Sequence, residues 1–514
     1  MRLTKDGLPH RWMLIVIAAL VLTWPAVLNG GAFYSTDSIA YIREPDQAIG
    51  KILGPGHATL WSAKQLGLGF RNGAVDPAAS DGKSPPMAGR SIYYGLLANL
   101  GARAGGFWLT IAVQALAAAI GLDLLCRAVG WERRRSYLIV AALAAFVTPL
   151  GFFVSCVMPD VWAAITVLAL AAMVAGGERL SRPQWAIGAG LVTFAAMAHT
   201  SHLLLLASAI GVCGILAGVR RLGWMQVGAP GLTAAVALVA LLIGAVSGAA
   251  FNMAVKKAYG APPVQPPFLT ARLVGDGRPG EAWLRQHCPA AGFKVCAFVR
   301  RLPMATDTFL WSADANRSVF WTASPADRTA LGAEQFKFAT AVVRDDPAAV
   351  ARQFVIDGAT QFADMRMDEF NHKDSVRTSI EGWIVGPDAK VWRASLAYRK
   401  AWPVALMDAV EMGAVVLALL SLTVLAIRSG RSAPDEGRLR VLTAGMMTAV
   451  LVLANAVVCG GLSDIFGRYQ ARITAPLIVS GAMALAELVR RGATKPSAAA
   501  TLNFESSPKL SSRA

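Results

Sequence analysis

Charge is scarce in this sequence. Only 16% of its 514 residues are Asp, Glu, Lys or Arg, while 55% are hydrophobic. A soluble globular chain carries about 25% charged residues, so over this length the deficit argues against a soluble enzyme. The apolar excess also rules out a disordered chain. Cysteine is scarce, at six residues, too few for a disulfide scaffold. No CxxC pair or metal-finger spacing joins them. Acidic residues are outnumbered, 32 against 49 Lys and Arg, which leaves a formal net charge of +17. On a soluble chain that excess would point to nucleic acid. Here the first question is whether it is sorted to one side of a bilayer.

What the chain does have is long apolar runs. A membrane-spanning helix needs roughly 20 mostly apolar residues. The candidates are Trp12 to Leu28, Phe107 to Leu125, Tyr137 to Val157, Val161 to Ala175, Trp185 to Ala198, His202 to Gly218 and Val227 to Ala249. After a long polar region come Pro403 to Ile427, Val441 to Cys459 and Ile473 to Leu488. The first lacks a small-residue cleavage site and reads as a retained helix, not a signal peptide. The expectation is an all-α polytopic membrane protein with about ten transmembrane helices.

The connections orient it. Arg2, Lys5 and Arg11 precede the first run, and Arg127, Arg133, Arg134 and Arg135 follow the second. Arg179 and Arg182, Arg220 and Arg221, and Arg428, Arg431, Arg438 and Arg440 fill later gaps, and Arg490, Arg491 and Lys495 follow the last run. Every second connection is basic. The positive-inside rule places these, with both termini, in the cytoplasm. Nucleic acid therefore drops out as a partner. The chain divides into a membrane part at 1–250 with a first outer loop at 30–106, an outer insertion of mixed or mainly α structure at 251–402, and further membrane helices at 403–489. The tail at 490–514 is rich in Ala, Ser and Lys and is expected to be disordered.

The outer face carries the unusual material, including two long segments and the short polar connections Met158-Pro159-Asp160 and His199-Thr200-Ser201-His202. Asp37 lies just past the first helix, where a carboxylate can take a proton from a bound hydroxyl or ligate a cation. Its bland alternative is a helix N-cap. Asp160 emerges on the same face, with the same alternative. His199 and His202 can bind a metal or, protonated, a phosphate; otherwise they form a polar turn between hairpin arms. The last outer loop, Ser463 to Arg472, holds Asp464, Arg468, Tyr469, Gln470 and Arg472. Its two arginines oppose the positive-inside trend, share a helix face, and suit phosphate or lipid anchoring. Asp464, Tyr469 and Gln470 are candidates for reading hydroxyls. Residues Ser80 to Met87 read as a turn. Trp283, Phe309, Trp311, Phe320, Trp321, Phe336 and Trp383 supply a small core for the outer insertion. Cys288 and Cys296, on the oxidising side, are the expected disulfide, with two free thiols as the alternative. No GxSxG, HExxH or P-loop pattern occurs on this face.

Taken together, Tyr34-Ser35-Thr36-Asp37-Ser38-Ile39-Ala40-Tyr41, Met158-Pro159-Asp160 and Arg468-Tyr469-Gln470-Ala471-Arg472 resemble the GT-C superfamily of integral-membrane glycosyltransferases. The resemblance covers the membrane part and leaves 251–402 unassigned. It implies a GT-C-like fold in a bacterial cytoplasmic (inner) membrane, with a periplasmic active face. It implies transfer of a sugar from a polyprenyl-phosphate-linked donor to an extracytoplasmic glycan, lipid or protein acceptor. Asp37 would be the catalytic base, and Arg468 or Arg472 would hold the donor phosphate. Asp160, His199 and His202 would orient substrate or bind a cation. Arg90, Tyr94, Tyr41 and Tyr469 would complete the substrate-binding set, with the outer insertion recognising the acceptor. Many members carry adjacent acids in the first loop, whereas Thr36 and Ser38 flank Asp37 here. No cofactor is therefore required; a divalent cation, magnesium or manganese, would fall to Asp37, Asp160, His199 and His202. The competing readings are an envelope-lipid transporter or flippase, a polysaccharide polymerase or ligase, and a structural envelope component. A transport path needs polar groups inside several spans, and Asp123, Asp408, Glu411 and Asn455 are the few candidates.

Overall fold

The computed structural model describes residues 8–54, 57, 59, 70–71, 74–75, 87–88, 90–221, 228–381, 384, 386–430 and 435–492. The expected turn at 80–86, Trp383, the tail beyond 492, and Arg2, Lys5, Arg431 and Lys495 lie outside them. The N-terminal membrane part contains α1 (Leu8–Leu22), α2 (Trp24–Asn29), α3 (Ser38–Leu53), α4 (Ile92–Ala104), α5 (Trp108–Ala128), α6 (Arg134–Phe146) and α7 (Leu150–Val154). It continues with α8 (Val161–Gly176), α9 (Arg182–Ala198), α10 (Thr200–Arg221) and α11 (Pro230–Tyr259). The outer insertion holds α12 (Phe268–Val274), α13 (Pro279–His287), α14 (Thr306–Trp311), α15 (Pro325–Asp345), α16 (Pro347–Ala363), α17 (Asp374–Glu381) and α18 (Gly386–Ala394). The chain closes with α19 (Val404–Gly430), α20 (Glu436–Leu462) and α21 (Gly467–Gly492).

The fold is that of an α-helical polytopic membrane protein. Among the described residues eight helices are long and apolar enough to cross a membrane. They match eight of the ten expected runs, and the other two differ for local reasons. The run from Tyr137 to Val157 is broken into α6 and α7 at Val147–Pro149. Pro149 has no amide hydrogen to continue the helix, and the Thr148 hydroxyl donates to the Ala144 carbonyl at 2.6 Å while accepting from the Leu150 amide at 3.2 Å. The Trp185 run is α9, a helix of 17 residues opened by a capping box between Ser181 and Gln184. At the far end, α11 runs past the expected Ala249 to Tyr259 and stops at Gly260, which takes a left-handed φ of 77° that side chains disfavour.

Helix α8 is the axis of the bundle. All of its residues are buried, and it packs against α5, α9, α20 and α21. Its neighbours turn their apolar outer faces away from the protein, as Leu238, Leu242 and Val246 of α11 do. One end of the bundle is basic. There Arg11 and Arg127 both bond Asp123 (2.6 and 2.7 Å), Arg179 pairs with Glu132, and Arg440 donates to the Ala175 and Gly176 carbonyls (2.6 and 2.7 Å). The opposite end carries the long outer segments.

The outer insertion is helical in its described part. Its core gathers Trp283, Phe309, Phe320 and Phe338, and Cys288 and Cys296 form a disulfide. Trp24, Phe33, Phe152, Phe370 and Trp402 form an aromatic cluster that joins it to the bundle, with ring centroids 5.0 to 5.8 Å apart.

Where apolar helices meet in lipid, small residues permit close approach. A Cβ on Gly481 of α21 would lie 2.3 Å from Ala418 Cα and Cβ of α19. We expect Gly481→Ala to cost about 1–3 kcal/mol through overpacking, read as a lower melting temperature in detergent. Gly413→Ala, where a Cβ meets nothing within 4 Å, serves as the control.

Candidate active site

A short extended pairing brings the first outer loop to the axis helix. Phe33 bridges Cys156 in parallel: the Phe33 amide donates to Ser155 O (2.9 Å) and the Val157 amide to Phe33 O (3.0 Å). Four residues beyond each partner stand Asp37 and Asp160, so the bridge carries both acids to one end of the bundle. Both occupy helix N-cap positions, of α3 and α8, and neither side chain makes a capping hydrogen bond. The bland reading of each carboxylate therefore does not describe its contacts.

Both face arginines of α21. Asp37 is ion-paired with Arg90 on one oxygen and accepts from Arg468 Nη2 on the other at 3.1 Å. Arg468 Nη1 also donates to Ser35 Oγ (2.6 Å) and Glu369 Oε2 (3.1 Å). Arg472 Nη1 donates to Asp160 Oδ1 at 2.9 Å, and its other nitrogen reaches Ser201 Oγ and Asn455 Oδ1 at 3.4 Å. The Tyr469 ring lies between the two guanidiniums, 5.2 Å from each, within cation–π range.

Local structure fixes these side chains. A Cβ at Gly467 would fall 2.4 Å from the Arg366 carbonyl oxygen, so α21 begins against the outer insertion only because a glycine stands there. Gln361 holds the preceding residue from both sides, accepting from the Phe466 amide (3.0 Å) and donating to its carbonyl (2.9 Å). Ser91 caps α4 and donates to Met197 O at 2.5 Å, setting Arg90 beside the His199 turn. Phe370 in the aromatic cluster, 5.3 Å from Phe33 and Phe152, seats the adjacent Glu369.

These groups line a cavity of about 850 Å³. Of the expected site residues, Asp37, Arg90, Asp160, His199, Arg468, Tyr469 and Arg472 are on its wall. Tyr41, Tyr94 and His202 are not. Tyr41 and Tyr94 are buried behind Arg90: Tyr41 lies 5.9 Å from its guanidinium, and Tyr94 packs edge-on to Tyr41 and donates to Gln114 Oε1 at 2.9 Å. They position Arg90 and do not face the cavity. His202 is buried with Nδ1 bonded to Ala195 O at 2.7 Å. Asp464, a candidate for reading hydroxyls, instead pairs with Arg272 at 3.1 Å.

Glu369 escaped the sequence reading. Its only signal is an acidic pair, Asp368-Glu369, set between the apolar Met367 and Phe370. Burial raises the Glu369 carboxyl above its ordinary value, against the pull of Arg468. Burial works on Asp160 in the same direction, but Arg472 and Arg468 outweigh it and hold that carboxyl below the usual range. Burial, with His202 and Arg472 nearby, pushes the His199 imidazole down to about 3.

The donor set does not suit a divalent cation. Asp37 and Asp160 already face guanidiniums, and among the described residues no three His, Cys, Asp or Glu side chains gather as a metal site. The arrangement suits an anion that enters between the arginines and displaces carboxylate. Comparison with protein families, curated proteins and solved structures found no match.

Two outcomes follow from the buried charges. Asp160→Ala leaves Arg472 buried without its carboxylate and is expected to cost about 3–5 kcal/mol, measured by chemical or thermal unfolding in detergent. His199 disfavours the imidazolium when folded, so its contribution is complete above the ordinary value of about 6.5 and is lost as pH falls from there toward about 3. His199→Gln is expected to flatten the fall in melting temperature over that window.

Proposed function

We propose that this chain is a membrane glycosyltransferase of GT-C type. It moves a hexose or pentose from a polyprenyl-phosphate-linked donor to a hydroxyl of an extracytoplasmic glycan, lipid or protein. The observation that carries this reading is Asp37 shared between Arg90 and Arg468 in a cavity at one end of apolar helices. In this proposal the chain crosses the bacterial cytoplasmic membrane ten times, counting α6–α7 and α9. The basic end and both termini are cytoplasmic, and the cavity opens on the periplasmic side.

The chemistry follows from the charges. Donor phosphate takes the guanidinium donors of Arg468 and Arg90, which frees the Asp37 carboxylate. An acceptor hydroxyl then attacks the anomeric carbon and gives its proton to Asp37. The bond from that carbon to the phosphate oxygen breaks, and its electron pair leaves on the phosphate. Arg468 and Arg90 stabilise the charge that develops there. Attack opposite the leaving group inverts the anomeric centre. Arg472, paired with Asp160, supports the Tyr469 ring. The prenyl tail remains in hydrocarbon, which is the physical reason for building such a site at the end of membrane helices.

The test uses the purified protein in nanodiscs. Polyprenyl phosphate is expected to raise the melting temperature more than the corresponding prenyl alcohol, and Arg468→Ala is expected to remove that difference. With radiolabelled polyprenyl-phosphate sugars, Asp37→Asn is expected to lower transfer by about 10²–10⁴-fold while keeping the stabilisation by polyprenyl phosphate. Full transfer by Asp37→Asn, or equal stabilisation by alcohol and phosphate, removes the proposal and favours a lipid-transport or structural role.

A further inference from the structure

Helix α16 belongs to the outer insertion by sequence, yet it packs on a membrane helix in the manner of a membrane helix. Its inner face bears Phe354, Asp357, Gly358 and Gln361. That face meets the last turns of α20 through glycines. A Cβ at Gly358 would lie 3.1 Å from Val457, one at Gly460 would lie 2.5 Å from the Asp357 carbonyl oxygen, and one at Gly461 would lie 2.1 Å from the Phe354 ring. Such close backbone approach is how helices associate in lipid.

Among the described residues nothing covers the opposite face. Arg352, Val355, Ile356, Ala359 and Ala363 are exposed at spacings of three and four, Val355 at 69%. A helix face turned to water is normally polar. This one is apolar around a single arginine and Thr360, whose hydroxyl bonds back to the Ile356 carbonyl at 2.8 Å, the composition of a helix lying in a membrane interface. It also continues a lipid-facing surface. On α20 the apolar side chains of Met446, Val450 and Leu453 point outward at helical spacing, and the α16 contact at Val457 begins one turn further on.

We propose that the outer face of α16 lies in the headgroup and acyl boundary of the outer leaflet, with membrane lipid as its partner. Val355, Ile356 and Ala359 enter the acyl edge, and Arg352, with Arg344 at the end of α15, reaches the lipid phosphates. Asp346, at the corner between the two helices, is used as the α16 cap, accepting from the Ala349 amide at 2.8 Å. The consequence for the site is mechanical. Gln361 on the inner face grips Phe466, two residues before Arg468, so the depth at which α16 sits sets the height of the arginine wall above the bilayer. This inference stands apart from sugar transfer and survives if that reading fails.

The experiment places a fluorophore on the face. The four unpaired cysteines are buried, so Val355→Cys offers one accessible thiol for a bimane label. Leu453→Cys is the lipid-facing reference. In nanodiscs, doxyl-labelled phosphatidylcholine is expected to quench the label at position 355 with a loss of emission comparable to that at 453, and aqueous iodide is expected to have little effect. Quenching by iodide without quenching by doxyl lipid means that water covers the face. Quenching by neither means that protein, such as a second copy of the chain, covers it. Either result overturns the proposal.

Discussion

A guanidinium that needs more than one carboxylate organises this molecule. Arg468 is drawn into the end of an apolar bundle, where an unpaired charge would be costly. It is kept there by Asp37 from the first outer loop and Glu369 from the outer insertion. Those three residues come from the two ends of the sequence and from the region between them. Their attraction requires α21, the first loop and the insertion to meet at one point. The neighbouring pair, Arg472 with Asp160, repeats the principle one turn further along α21 and ties that helix to the bundle axis.

Apolar contacts hold the charges in register. The extended bridge at Phe33 and Cys156 and the aromatic cluster around Phe370 fix backbone positions on either side of the cavity. Glycines do the same where helices approach closely, at Gly467 beside Arg366 and at Gly460 and Gly461 beside α16. The cavity is therefore a polar wall mounted on an apolar frame. Charge decides which side chains face each other, and packing decides at what distance.

This construction suits a ligand with an anionic head and a hydrocarbon tail. In the structure carboxylates pair with the arginines, and in the proposed reaction an incoming phosphate would compete with them for the same donors. The exchange would couple binding to the release of Asp37. One set of arginines would then serve both to hold the head group and to keep the proposed base paired until the ligand is in place.

Hydropathy is local, and it made the membrane helices and their sorting by basic connections legible from the chain alone. So were the acids and arginines at the helix ends, because polar residues at the rim of apolar runs stand out. Other features depended on contacts between distant residues, which no local pattern encodes. An apolar run does not reveal that Thr148 and Pro149 divide it. A tyrosine near an arginine does not reveal whether it faces a cavity, as Tyr469 does, or is buried behind the wall, as Tyr41 and Tyr94 are. Glu369 joined the site only through the seating of Phe370 in an aromatic cluster, and Asp464 left it because Arg272 drew it away. The sequence determined which segments prefer lipid and between which of them the basic connections fall; the tertiary structure decided which charges meet, because in a low-dielectric setting each buried charge must find its partner wherever in the chain that partner lies.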